Sequence, residues 1–136
     1  LAFADPATGR VIKDSGRGPN PGEVTLGEAC KVGDVLGYSS GWKRALATVG
    51  TAIQGRVVAL KGGASGEVVP VSPNPVVSGY TGGTAGNYVY VAEGTDYGKI
   101  TETAPSTTGD CNTKIGIMLS ATDCQFFLNA NADTTA

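Results

Sequence analysis

Apolar residues in this chain come in short runs, each closed within a few positions by Gly, Pro, Asp, Asn or Thr, and that spacing suits strands better than helices. Tyr88–Ala92, Ile115–Leu119 and Phe126–Leu128 are the plainest cases, separated by polar stretches rich in Gly, Thr, Asp and Pro. Short runs of aromatic and β-branched residues bounded by turn formers are a strand signature. The 21 glycines among 136 residues, about twice the usual share, supply turns in quantity. A chain of this length can bury one core, so a single all-β domain is expected.

The same reading extends upstream. Val24–Leu26, Val35–Tyr38, Trp42–Leu46, Ile53–Lys61, Glu67–Ser72 and Val76–Tyr80 read as strands, with Ser39-Ser40-Gly41 as a hairpin turn. Ala47–Ala52 reads as a loop or a short helical turn. Pro70 has no backbone donor, which predicts an edge or bulged strand there. An internal echo follows. Gly33–Ser39 aligns with Gly86–Ala92, Trp42–Ala45 with Lys99–Glu102, Gly55–Leu60 with Gly116–Ala121, and Val68–Val71 with Gln125–Leu128. Two similar halves, folded over one another as a small β-sandwich or barrel, would hide their own edges.

Residues 1–22 differ from this pattern. Arg17-Gly18-Pro19-Asn20-Pro21-Gly22 cannot be helix or central strand, because neither proline donates a hydrogen bond. Asp5–Gly9 has turn chemistry, which allows a hairpin pairing Ala2–Ala4 with Arg10–Lys13. The expected organisation is an extended N-terminal arm over 1–22, a β domain over 23–129 and a flexible tail over 130–136. Arg10, Lys13 and Arg17 against Asp5 and Asp14 give the arm a net charge of +1, while the remaining seven bases and ten acids leave the rest at −3. A basic arm reaching from an acidic body fits contact with a partner or neighbour, through Phe3, Arg10, Lys13, Arg17, Pro19 and Pro21.

Composition excludes several chemistries. With no histidine, the chain cannot assemble a Ser-His-Asp or Cys-His pair, or a His-based zinc site. Cys30, Cys111 and Cys124 form no C-x-x-C, so they are expected as free buried thiols, with a Cys111–Cys124 bridge as the alternative. No metal site and no cofactor are expected. A net charge of −2 gives no basic stripe for nucleic acid. No apolar run approaches the roughly 20 residues of a membrane helix, so no membrane association is expected. Nor does a basic start precede an apolar core, so no signal peptide is expected. Gly94–Ile100 nearly matches a phosphate-binding loop but lacks a spacer residue and the Ser/Thr after its Lys. A biotinyl- or lipoyl-type carrier would need a lysine at a hairpin tip, and Lys43, Lys61 and Lys99 have the wrong flanks.

In Tyr88-Val89-Tyr90-Val91 one strand face is tyrosine and the other valine. Either the tyrosines rim a valine core or they form a subunit interface, where Tyr is enriched.

The order G-x-Y-V-Y-V, then Gly98–Ser106 (GKITETAPS), Ile115–Thr122 (IGIMLSAT) and Phe126–Leu128 (FFL), resembles the C-terminal part of small bacteriophage structural proteins of the capsid decoration (cement) or head-fibre type. Val32–Tyr38, Gly55–Leu60 and Gly66–Val71 resemble the first part of that pattern, so the resemblance covers about residues 24–129. It implies a β-tulip-like fold and a non-enzymatic virion protein. Such a protein is assembled in the host cytoplasm and bound to the outer surface of the capsid. Its partners would be the major capsid protein and itself, as a homotrimer, with Trp42, Tyr88 and Tyr90 at the subunit interface. Two other readings remain: a tail, baseplate or head-fibre module binding host surface glycans, and a glycan hydrolase using carboxylates such as Glu93 and Glu102.

Overall fold

The computed structural model describes residues 5, 9–15 and 22–128. Phe3, Arg17, Pro19, Pro21, the Ala2–Ala4 side of the expected hairpin and the tail over 130–136 lie outside the described residues. The described chain is all-β, with two antiparallel sheets of similar size. The first half contributes β2 (Glu23–Thr25), β3 (Val35–Tyr38), β4 (Trp42–Arg44), β5 (Val57–Ala59) and β6 (Val68–Ser72). They form a five-stranded sheet in the order β2-β6-β5-β3-β4. The second half contributes β7 (Val76–Ser78), β8 (Tyr88–Val91), β9 (Ile100–Thr101), β10 (Gly116–Met118) and β11 (Cys124–Phe126). With β1 (Val11–Asp14) they form a six-stranded sheet in the order β1-β7-β11-β10-β8-β9.

Without β1, the two orders are the same path traced twice. Hydrogen bonds fix the correspondence residue by residue. Gly33 N–H donates to Ala59 O at 2.8 Å and Ala59 N–H to Asp34 O at 2.8 Å; Gly86 N–H donates to Met118 O at 2.8 Å and Met118 N–H to Asn87 O at 2.9 Å. Likewise Arg56 donates to Leu36 O at 2.8 Å and Ile115 to Val89 O at 2.9 Å. Gly33 and Gly86 hold φ of +83° and +88°, a turn conformation that glycine adopts without a Cβ penalty. The sequence echo therefore aligned Gly33–Ser39 with Gly86–Ala92 in register. Its later pairs slip: Ala59 corresponds to Met118, and Val71 to Cys124.

Strand edges are short or charged. β9 has two residues, and β1 carries a register shift between Ile12 and Asp14 around Lys13. Such features discourage edge-to-edge pairing. β6 lies between β2 and β5, so Pro70 is not on an edge strand as expected. β5 ends at Ala59, and the next residue, Leu60, gives its N–H to Pro70 O at 2.9 Å. Pro70 sits just past the β5 ladder, where its missing donor breaks no strand pair.

Two apolar clusters result. The larger takes Val35, Ala45, Ala47 and Val58 from the first half and Val77, Tyr80, Val89, Val91, Ile100, Met118, Cys124 and Phe126 from the second. The smaller belongs to the first half alone: Leu26, Cys30, Leu36, Ala59, Val69 and Val71, with Val24, Trp42 and Val57 packed against them. In β3, adjacent Val35 and Leu36 go to different clusters, so the strand is buried on both faces. Gly37 continues that crowding. A Cβ there would strike the Gln54 carbonyl oxygen and stand 2.7 Å from Ile53 Cγ2.

Candidate functional site

Alternation along the second sheet sorts its side chains cleanly. Val89, Val91, Met118, Cys124, Phe126 and Val77 point into the shared core, and their neighbours point out. The outward row runs across four strands, from Tyr88 to Ile117 to Gln125 to Val76. Tyr88 is 45% exposed. Its ring meets Phe127 edge-on, centroids 6.3 Å apart, and Lys114 Nζ lies 4.6 Å from its centroid. Gln125 Nε2 donates to Asn74 O at 3.0 Å and so is held flat against the surface. Tyr90, the next outward residue of β8, is half-buried. The expected valine-in, tyrosine-out division of β8 is met.

A second aromatic patch lies at the β3–β4 hairpin. Tyr38 is 66% exposed and meets half-buried Trp42 edge-on at 5.6 Å. Beside it the Arg44 guanidinium lies 5.5 Å from the Tyr97 ring centroid and its Nε is 3.0 Å from Glu28 Oε2. Aromatic pairs with a cation alongside are good contact material, because they combine a large apolar face with a polar edge. Trp42 and Tyr88, both expected at an interface, thus lie on separate patches. Tyr38, Ile117, Phe127 and Lys114 were not picked out from the sequence. The signal for Tyr38 was present, since its counterpart in the echo is Val91.

Arg10 was expected on a reaching arm, and its placement corrects that. It is 6% exposed, with Nη1 3.1 Å from Asp5 Oδ2 and 3.0 Å from Gly33 O, and Nη2 on Asp34 Oδ1. Asp5 is itself tied down, its N–H donating to Ile100 O. Burial alone would lower the Arg10 pKa, but Tyr80, Asp34 and Asp5 outweigh it and hold the guanidinium above its usual value. Burial pushes the Tyr80 hydroxyl well up, with Arg10 opposing. Arg10 is therefore an internal clamp between the halves. Residues 11–14, also assigned to the arm, are β1 of the six-stranded sheet. Within them Lys13 Nζ is 2.9 Å from Asp123 Oδ2. Hydrogen bonds from Lys13, Ser78 and Thr122 lower the Asp123 pKa to about 2.

No disulfide joins Cys30, Cys111 and Cys124, and all three are buried. Cys30 borders a groove of about 470 Å³ formed by residues 9–10, 30–32 and 62–63. Burial, with Asp34 adding, raises its thiol to about 11, which keeps it protonated and a poor nucleophile at neutral pH. Glu93 faces Asp110, whose hydrogen bond raises the Glu93 pKa, with partial burial and charge repulsion adding to it. Glu102 instead accepts the Thr84 N–H at 2.7 Å. The two carboxylates considered for hydrolysis thus have different partners.

No family model, curated protein or solved structure matches the chain.

Proposed function

We propose that this chain is a structural virion protein that binds the outer surface of an assembled phage capsid and stabilises it. Its partners would be the major capsid protein and further copies of itself, as a homotrimer made in the host cytoplasm. The two sheets would then form a β-sandwich or barrel of the β-tulip kind. The observation that carries the reading is the doubled strand path with edge-on aromatic pairs at Tyr38–Trp42 and Tyr88–Phe127 that leave Tyr38 and Tyr88 exposed. That arrangement suits adhesion through surfaces, and it falls on the segments whose motifs resemble decoration proteins. A weak contact repeated over an oligomer gains from avidity, and this is how a small module would hold a large shell. With Arg10 and Lys13 engaged internally, Phe3, Arg17, Pro19 and Pro21 remain as the proposed arm contacts with the shell.

The exposed rings also favour a second reading, a tail, baseplate or head-fibre module stacking on host surface sugars. Sedimentation with empty mature shells separates the two. A decoration protein co-sediments to saturation at hundreds of copies per shell, and Arg17→Glu weakens it. A protein that stays in the supernatant with shells yet binds host cells overturns the first reading in favour of the second.

A further inference from the structure

We propose that Glu93 and Asp110 share a single proton, that this proton latches three loops together, and that the latch opens as the pH rises. The device belongs to the fold of the single chain and is independent of shell binding.

The placement of Asp110 carries it. Its N–H closes a turn onto Thr107 O at 2.9 Å, and its side chain is turned inward, at 1% exposure. Oδ1 accepts the Val49 N–H at 2.6 Å. Oδ2 is also buried, and no donor reaches it. What faces Asp110 instead is the carboxyl of Glu93, on the loop between β8 and β9. That loop meets the residues around Val49 a second time, where Gly94 N–H donates to Thr48 Oγ1 at 2.7 Å. Loops 47–51, 93–98 and 107–111 therefore converge on one pair of acids.

A buried carboxylate oxygen without a donor is costly, and a second negative charge beside it adds repulsion. No cation relieves the pair. Among the described residues neither Glu93 nor Asp110 has an ion pair. The charges around the loop are engaged elsewhere: Lys99 Nζ is 3.7 Å from Asp96 Oδ1, and Arg44 lies over Tyr97 with its Nε on Glu28. Residues 47–51 and 107–109 carry no titratable side chain, and Cys111 is packed in the core.

A proton on Glu93 turns an acceptor into a donor for Oδ2 and removes one of the two charges. The hydrogen bond to Asp110, then burial and repulsion, raise the Glu93 pKa above its ordinary 4.5. The folded chain thus keeps a proton that the unfolded chain has lost. Its contribution is full below the ordinary glutamate value and disappears as the pH rises through the folded one. Above that pH both acids are charged, and Glu93, already exposed, turns to solvent. The far end of its loop stays pinned by Gly98 N–H on Ala45 O at 2.8 Å, so the opening is confined to residues 93–97.

The test follows the carboxyl carbons of the full chain by NMR through a pH titration in the presence of a chelator. Glu93 should titrate above 4.5 in wild type and at or below it in Asp110→Asn, whose amide donates to the carboxylate. Protection of the Gly94 amide, relative to its intrinsic exchange rate, should fall about tenfold from pH 4 to pH 7. Glu93→Gln, a permanent donor at an exposed position, should hold that protection at both pH values, and it carries the test alone if Asp110→Asn unfolds by circular dichroism. Loss of protection in Glu93→Gln equal to that of wild type, or a Glu93 titration that Asp110→Asn leaves unmoved, would overturn the latch. So would protection restored at pH 7 by calcium chloride, which would make the pair a cation site instead.

Discussion

The two halves follow the same strand path but differ in how their faces are covered. In the first half both faces of β3 are buried, one under its own loop residues Leu26 and Cys30 and one under the second half. In the second half only the inner face is fully buried, and the outer one carries exposed Tyr88 and half-buried Ile117. The same position is Gly37 in the first half and Tyr90 in the second, because the chain at Ile53–Gln54 crosses over the former. Asp34, which needs Arg10, corresponds to neutral Asn87. A repeat that begins as two equal copies thus has its side chains set by what each copy touches.

Breaking the clamp should have the largest effect on this difference. Arg10→Met leaves Asp5 and Asp34 buried without their cation and should lower unfolding free energy by about 3–5 kcal/mol in a denaturant titration. Adding Asp34→Asn, the side-chain type of the second half, should recover part of that loss. No recovery would mean that the charge at Asp34 is not what Arg10 neutralises. Next, Gly37→Ala should destabilise by about 3 kcal/mol, since the added methyl has no room. At the matching site Tyr90→Ala should stay within about 1 kcal/mol. Equal losses would erase the distinction between the covered and open faces.

The smallest effect concerns the edge where β1 joins the second half. Asp123 has a folded pKa of about 2 against its usual 3.8, so its contribution is present above pH 3.8 and lost as pH falls towards 2. Lys13→Ala should flatten the acid slope by lowering stability slightly above pH 3.8 and leaving it unchanged near pH 2, the loss being small because the pair is exposed. An unaltered acid slope would remove Lys13 as the cause.

Strand identity was legible wherever alternation and turn residues agreed, as in β3 and β8. β11 was expected at Phe126–Leu128 because three apolar residues adjoin there; it formed at Cys124–Phe126. Cys124, Phe126 and Leu128 all face the core, but only 124–126 pair with β10 and β7, while the Leu128 N–H goes to Pro73 O. The arm was misread for a different reason. Proline and glycine on both sides made residues 10–14 look loose, whereas the Arg10 partner Asp34 lies 24 positions away. Of the candidate surface, Tyr88 and Trp42 were legible as large aromatics beside turns. Phe127 and Ile117 were not, because their exposure depends on which way the neighbouring strand is read.

The sequence by itself determined an all-β chain, its turn positions and the repeat, because glycine, proline and two-residue periodicity act locally. Only the tertiary structure decided which apolar faces are covered. Val35 and Tyr88 occupy the same position in the same strand path, and burial separates them because only the first has the other half packed over it.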